Sequence, residues 1–312
     1  MTIRYIEPLQ QAWEKMRTAL FRPFDISKWF TVGFTAFLAG LTDWYGGKNP
    51  DIHERMHVDA EEFFDFPRNV MEWLHDHPIW FMVIVIAVIF FIALYIVMLW
   101  LSSRGKFMFL DNVITNRSQV TNPWNQYRTL ANSLFLWRFV FSIIAFFTFI
   151  LFFIQVYYIA LNIYEEHFTT PAIIVLIAGM ALLFLLLIII ISYISLFLNE
   201  FIVPIMYKNR MLTIQAWYKF LPLFMKHWFY FIAYGLLIFL LYIILVIAIV
   251  TFGLFTCCIG FLLLIIPYVG SVILLPVSFT FRAFSVLFLE QFGEQFTLFP
   301  RAEEPTVTGT SA

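Results

Sequence analysis

Long, uninterrupted apolar stretches dominate the pattern of this chain. Three uncharged stretches come close to the roughly 20 residues that a helix needs to cross about 30 Å of hydrocarbon. They are Ile79–Leu101, Phe139–Tyr164 and Ala172–Leu198. A fourth region, from His227 to Arg282, encloses 54 uncharged residues, which suits two helices that turn near Gly253–Gly260. The pattern predicts an all-α integral membrane bundle, because aqueous folds cannot hide so much apolar surface.

The remaining apolar segment, Trp29–Thr42, has only 14 residues between Lys28 and Asp43. It could be a short span, a re-entrant segment or a helix in the interface. If it spans, 16 of the 19 Lys and Arg residues lie on one side; otherwise they divide as 11 and 8. Because Lys and Arg concentrate in cytoplasmic loops, we predict six spans and cytoplasmic termini in a bacterial inner membrane. Lys28 would then reach the headgroup layer.

The segment between the first two spans, residues 43–78, carries nine acidic and three basic residues. His53 and His57 are one helical turn apart, and HERMH fits the bare HExxH pattern of zinc sites. No third ligand is evident, so a solvated acidic loop or a pH-sensitive loop are the alternatives. We therefore expect no cofactor and keep a metal site at the two histidines as a secondary hypothesis.

Three cytoplasmic segments share a set of border residues. Each has a Trp, then a Leu-Phe pair, then a second Trp beside a basic residue, and an Asn-Arg pair precedes the second and third segments. These residues, predicted to anchor the chain at the lipid interface, are Trp13 and Trp29; Arg117, Trp124 and Trp137; and Arg210, Trp217 and Trp228. The alternative is that membrane borders attract Trp and Arg in any case.

The shared borders predict three parallel repeats, each a cytoplasmic amphipathic helix followed by two spans. The repeats cover about residues 5–101, 108–199 and 204–282 of a single membrane domain, 1–299, and residues 300–312 are expected to be a disordered tail. In the first amphipathic helix, Leu9, Trp13, Met16 and Leu20 share one face. That face could lie on the inner leaflet or pack against the other cytoplasmic helices.

The motifs GKFMFLDNVITNR, FIVPIMYKNRM and QAW carry a resemblance to a known family. They resemble an uncharacterised family of bacterial multipass membrane proteins, similar to the one named for the membrane domain of glycerophosphodiester phosphodiesterases. The resemblance covers roughly residues 5–295 and implies a membrane fold. It implies no functional residue and no phosphodiesterase activity, since no catalytic domain is expected in the some 30 residues after the last predicted span.

The predicted spans contain little chemistry. No Asp, Glu, Lys, Arg or His falls inside them as drawn, and intramembrane ionisable groups usually mark ion or proton pathways. Gln155 and Asn162 are the most polar residues of the third span, which we interpret first as interhelical hydrogen-bond partners and second as the lining of a polar path. Pro267 and Pro276 predict a kink in the sixth span.

These observations favour a non-enzymatic accessory, scaffold or regulatory membrane protein. Its expected partners are membrane lipids, with other membrane proteins or further copies of the chain as additional possibilities. A net charge of −1 gives no basic field for nucleic acid. The alternatives are a transporter or flippase of a lipid-like or apolar substrate and, more weakly, an enzyme that uses the His/Glu loop.

Overall fold

The computed structural model describes residues 3–43, 70–166, 170–256, 260, 263–264 and 266–299. These residues form helices and no β-strand, which confirms the all-α prediction for this part of the chain. The helices are α1 (Ile6–Phe21), α2 (Ile26–Gly40), α3 (Pro78–Thr115), α4 (Thr121–Gln126), α5 (Arg128–Glu166), α6 (Thr170–Phe197), α7 (Val203–Asn209), α8 (Thr213–Phe255), α9 (Pro267–Ile273) and α10 (Leu275–Glu290). A π-helical segment, Leu198–Ile202, joins α6 to α7.

Four helical segments are long and apolar enough to cross a membrane. They are Pro78–Thr115, Arg128–Ile163, Ile173–Asn209 and Thr213–Phe255. The shortest has 36 residues, and at about 1.5 Å per residue each exceeds the roughly 30 Å of hydrocarbon. The chain is therefore a membrane protein, and its apolar helices continue past the predicted span borders.

The other two predicted spans are shorter as helices. α2 has 15 residues, while α9 and α10 have 7 and 16. The kink predicted in the last span takes the form of a break at Leu274 between α9 and α10, with Pro267 and Pro276 in the first turns of these helices. That position suits proline, since the first turn needs no amide donor. The structure thus shows four candidate spans, and the first and sixth predicted spans are not among them.

The border between the third cytoplasmic segment and the fifth predicted span is a kink inside α8. His227 has non-helical φ and ψ of −130° and 28°, five residues after Pro222. A proline inside a helix removes one backbone hydrogen bond and crowds the preceding turn. The amphipathic segment and the apolar segment are therefore two arms of one bent helix.

One compact unit, unit 1, is formed by the described residues within Met1–Gly40, Ser103–Leu134 and Ser195–Ala312. α1 packs mainly on α10, and α2 packs on α9. The buried face of α1 includes Ala12, Met16 and Leu20. The structure therefore favours the second interpretation of this amphipathic helix, in which its apolar face packs against protein.

The centre of unit 1 is rich in aromatic rings and tolerates little added volume. Phe201 is fully buried, and ring contacts of 5.0–6.0 Å join it to other aromatic side chains: Phe197, Phe220, Phe231, Tyr234 and Phe288. α2 and α3 meet at Gly105, where an added Cβ would lie 2.5 Å from the backbone of Leu38 and Ala39. Only glycine fits such a close backbone approach.

A second compact unit, unit 2, is formed by the described residues within Leu41–Ser102 and Phe135–Ile194. It contains the first part of α3 and most of α5 and α6, whose large apolar side chains are mainly exposed, as Phe91 and Leu182 illustrate. Helices can present such surfaces to lipid because their backbone polar groups are satisfied internally. Phe152 stacks on Phe184 between α5 and α6, with ring centroids 5.3 Å apart.

Candidate functional site

The candidate site is a group of polar side chains in unit 1, on the polar ends of the long helices. Its first part surrounds Asp111 near the end of α3. The hydroxyls of Tyr127 and Tyr207 both donate to Asp111 Oδ1, at 2.9 and 2.8 Å. The two rings stack with centroids 5.0 Å apart, and the Arg210 guanidinium lies 4.5 Å from the centroid of Tyr127. Charge, aromatic faces and hydrogen bonds thus hold α3, α4 and α7 together.

Burial dominates the electrostatics of this part. It raises the pKa of Tyr127 above its ordinary value of 10.0, and the nearby Asp111 carboxylate acts in the same direction. The Tyr127 hydroxyl therefore stays protonated near neutral pH and donates to Asp111. This arrangement can hold helices together.

The two Asn-Arg pairs found in the sequence both lie at helix ends, offset by one residue relative to the left-handed position. Asn116 directly follows α3 and has φ of 55°, while Arg210 caps α7 with φ of 52°. Such left-handed residues end helices, and Asn tolerates this region better than most side chains. Lys28 donates to Asn116 Oδ1 and Lys219 donates to Asn209 Oδ1, each at 2.8 Å.

Lys28 departs from the expectation that it reaches the headgroups. Its ammonium also donates to the carbonyl of Ala19 at 2.7 Å, and the side chain is half-buried. Two protein acceptors replace the water or phosphate oxygens that the snorkelling interpretation required. Lys28 of α2 therefore links the last turn of α1 to the residue that follows α3.

The second part of the site surrounds the π-helical segment. Arg282 of α10 donates from Nη1 to the backbone carbonyl of Asn199 at 2.7 Å, and Nη1 lies 3.9 Å from Glu200 Oε2. Tyr234 of α8 is fully buried, and its ring lies 5.0 Å from that of Phe201, the residue after Glu200. A π-segment widens the helix by one residue and often marks a functional position. Here it presents a carbonyl and a carboxylate to one guanidinium.

Unit 2 has its own polar cluster at Arg138. The guanidinium donates to Ser102 Oγ at 3.1 Å, to Thr42 Oγ1 at 2.6 Å and to Asp43 Oδ1 at 3.3 Å. A planar guanidinium with several donors suits such a convergence of oxygen atoms. Arg138 therefore joins α5 to α3 at Ser102 and to the residues after α2.

Comparison with known proteins assigns the chain to a family. Residues 4–289 match a family of unknown function (DUF7544). The chain belongs to this family. No curated protein matches the chain, and no solved structure matches it either. None of these comparisons links the chain to the membrane domain of glycerophosphodiester phosphodiesterases, so that resemblance stays a prediction.

The tryptophans predicted as lipid-interface anchors occupy different environments. Trp13 and Trp228 are exposed, and the other four are partly buried. Trp29 donates from its indole to the carbonyl of Leu20 at 2.8 Å, and Arg104 lies 4.5 Å above the ring of Trp124. Trp137 stacks on Phe141 and Trp217 meets Phe220 edge-on. Arg117 is exposed. Their anchoring role remains a prediction, and the structure adds protein contacts to it.

The remaining predicted site residues lie apart from this group. Gln155 and Asn162 are both exposed on α5, and the described residues provide no hydrogen-bond partner for either side chain. His53 and His57 lie outside the described residues, so the metal hypothesis keeps its place as a prediction. Within the described ranges no group of three His, Cys, Asp or Glu residues could hold a metal ion.

The sequence interpretation missed the buried charges. Arg104, Lys106 and Asp111 are all buried on α3 beyond the predicted span border, and Glu200 and Arg282 were placed at the borders of two spans. One signal was available for the last pair. Glu200 and Arg282 have opposite charges and follow two apolar stretches that were predicted to end on the same side of the membrane.

Proposed function

We propose that this membrane protein has a non-enzymatic accessory, scaffold or regulatory role and acts through contacts with anionic lipid headgroups. The observation that carries the proposal is the charge on the exposed surface of the described part of unit 1. Its exposed cations outnumber its exposed carboxylates by eight to four. The cations are Arg4, Arg17, Arg22, Arg117, Arg128, Lys208, Arg210 and Lys226.

Several of these cations lie beside exposed aromatic side chains. Arg22 is flanked by Phe21 and Phe24, and Lys226 is two residues from Trp228, all exposed. Aromatic rings favour the headgroup layer, and each cation near an anionic membrane surface contributes about 1 kcal/mol. The combination suits a surface that rests against anionic lipid.

The proposed topology is six spans as three parallel hairpins, with both termini cytoplasmic in a bacterial inner membrane. The distribution of Lys and Arg supports it, as do the left-handed residues that end both α3 and α7. At about 1.5 Å per residue the 15 residues of α2 extend about 22 Å, so this span requires a locally thin bilayer. α9 and α10 together cover residues 267–290, which is long enough for a broken span.

Impermeant thiol labelling tests the topology. Asp51→Cys and Ser118→Cys are each introduced after Cys257 and Cys258 have been replaced by Ala, and spheroplasts are labelled before and after permeabilisation. We expect position 51 to react in intact spheroplasts and position 118 to react only after permeabilisation. Reaction of both positions from the same side would overturn the six-span proposal.

Lipid retention tests the proposed function. Native mass spectrometry of protein extracted from inner membrane should show anionic lipids enriched over phosphatidylethanolamine. The combined variant Arg17→Gln, Arg117→Gln, Arg128→Gln should lower this enrichment several-fold. The control Glu7→Gln, Glu14→Gln changes exposed charge of the opposite sign and should preserve it. Equal retention of anionic and zwitterionic lipids by the unmodified protein would contradict the proposal.

A second candidate function is transport or flipping of a lipid-like substrate. An open groove of about 340 Å³ between α5 and α6 supports it, lined by apolar side chains such as Phe152, Val156, Met180 and Phe184. Its volume falls within the usual range of small-molecule sites. Scrambling of a fluorescent lipid in proteoliposomes tests this candidate. The larger side chain of Ala181→Trp should fill part of the groove and slow the scrambling. Scrambling at the rate of protein-free vesicles would exclude it.

A further inference from the structure

A buried set of polar atoms in unit 1 is not explained by lipid contacts. Asn199 and Glu200 belong to the π-segment, Tyr234 to α8 and Arg282 to α10. Asn199, Tyr234 and Arg282 are all more than nine-tenths buried, and the Glu200 side chain is 20% exposed. Apolar rings surround the group, since Tyr234 packs on Phe284 and Phe288 with centroids 5.2 and 4.6 Å away.

One atom of each of these four side chains lacks a hydrogen-bond partner among the described residues. The atoms are Asn199 Oδ1, Glu200 Oε2, Tyr234 Oη and Arg282 Nε, and all four are buried. In folded proteins more than about 90% of buried polar groups are hydrogen-bonded, because each unsatisfied group costs about 1–3 kcal/mol. Arg282 contacts both Asn199 and Glu200, and the Tyr234 ring lies 5.0 Å from that of Phe201, the residue after Glu200. The four residues therefore share one part of the core, and their unpartnered atoms point to a ligand bound there.

The chemistry of the four atoms defines the ligand. Asn199 Oδ1 and Glu200 Oε2 accept hydrogen bonds, Arg282 Nε donates, and the Tyr234 hydroxyl does either. A cation would meet the Arg282 guanidinium, and an anion would meet the Glu200 carboxylate. The site therefore suits a neutral molecule that both donates and accepts.

We propose that Asn199, Glu200, Tyr234 and Arg282 form a binding site for internal water. The Glu200–Arg282 separation of 3.9 Å is too long for a hydrogen bond and leaves a bridging position for water. Buried waters make about three hydrogen bonds to otherwise unsatisfied polar groups, and this cluster offers four. Hydration also lowers the cost of keeping an ion pair inside an apolar core.

The π-segment explains why the site lies here. Its wider turn loosens the carbonyl ladder of the helix, so the Asn199 carbonyl accepts from Arg282 while its side chain stays in the cluster. The hydrated site thus links the π-segment to α8 and α10. This inference is independent of the lipid-headgroup proposal, which rests on exposed cations.

X-ray footprinting in H₂¹⁸O tests the proposal, because radiolysis of bound water generates hydroxyl radicals beside the groups that hold it. Tyr127 is the matched control, being 3% exposed with its hydroxyl donating to Asp111. We expect ¹⁸O incorporation at Tyr234 to be at least tenfold faster than at Tyr127. Equal rates at the two tyrosines, or oxidation of Tyr234 without ¹⁸O, would overturn the proposal.

A stability measurement provides a second test. Tyr234→Phe and Tyr127→Phe remove only the hydroxyl, and both variants are followed by thermal unfolding in detergent. If water binds Tyr234, both substitutions lower Tm, because each removes a hydrogen bond. A rise in Tm for Tyr234→Phe would show that the hydroxyl was buried without a partner and would count against the site. Footprinting decides the matter if the two measurements disagree.

Discussion

The two compact units use the same helices in different ways. α3 contributes residues up to Ser102 to unit 2 and residues from Ser103 to unit 1. In its first part apolar side chains such as Phe91 are exposed, whereas in its second part Lys106 and Asp111 are buried. One continuous helix thus passes from a stretch that suits lipid to a stretch that is enclosed by protein.

The difference shows that side chains, and not helix ends, define where each environment begins. An α-helix satisfies its backbone hydrogen bonds internally, so it crosses such a border without a break. Apolar side chains can then face lipid, while charged ones need partners within the protein. The comparison of the units predicts that matched substitutions will cost much in unit 1 and little in unit 2.

The largest contrast is expected from Phe201→Ala and Phe91→Ala. Phe201 is fully buried among other rings, and Phe91 is 64% exposed. We expect the first substitution to lower the free energy of unfolding by about 3–5 kcal/mol and the second to change it by about 0.5 kcal/mol. Denaturant titration of the protein in a mild detergent measures both. Similar losses would mean that the aromatic centre of unit 1 does not stabilise the fold.

A second contrast compares two helical glycines. Gly105→Ala places a Cβ 2.5 Å from the α2 backbone, whereas Gly179→Ala meets nothing within 4 Å. We expect the first to cost about 3 kcal/mol through overpacking, and the second to stabilise by about 0.5–1 kcal/mol through helix propensity. Thermal unfolding followed by size-exclusion chromatography compares the two. A lower Tm for both variants would contradict the expected difference between the two units.

The smallest contrast removes single hydroxyl groups. Tyr207 donates to the buried Asp111 at 2.8 Å, and the exposed Tyr95 shares a hydrogen bond of 3.0 Å with Ser142 in unit 2. Tyr207→Phe should lower the free energy of unfolding by about 1.5–2 kcal/mol, since the lost bond is to a carboxylate. Tyr95→Phe should lower it by about 0.5 kcal/mol. Equal values would indicate that burial does not strengthen the Asp111 cluster.

Apolar patterning alone located the helices that carry unit 2. The predicted borders at Ile79 and Ala172 lie within two residues of the observed starts at Pro78 and Thr170. The Asn-Arg pairs also lie at helix ends, and the prediction that Arg117 and Arg210 anchor the chain in lipid stands beside this finding. These features depend on local sequence, because the membrane thickness fixes the length of an apolar stretch and helix ends favour particular residues.

The polar site depends on contacts that local sequence does not encode. Each predicted span was ended at its first charge, so the second predicted span stopped before Arg104 and the third started after Arg138, although both residues lie inside the observed helices α3 and α5. A charge marks a border with lipid only when no protein partner surrounds it. The pairing of Glu200 with Arg282 requires residues about 80 positions apart to meet through a π-segment, for which the sequence FLNEF has no distinctive mark.

The π-segment also changes the phase of its helix. It accommodates one additional residue, and one residue corresponds to about 100° of rotation about an α-helical axis. Side chains from Val203 to Asn209 are therefore turned by about that angle from where a regular helix continued from Phe197 would place them. Tyr207 owes its direction toward Asp111 to this offset. A regular α-helix through Leu198–Ile202 with no residue removed would rotate Tyr207 away, whereas deletion of one residue there would remove the additional residue and keep Tyr207 directed toward Asp111, so this segment sets the register between two polar clusters.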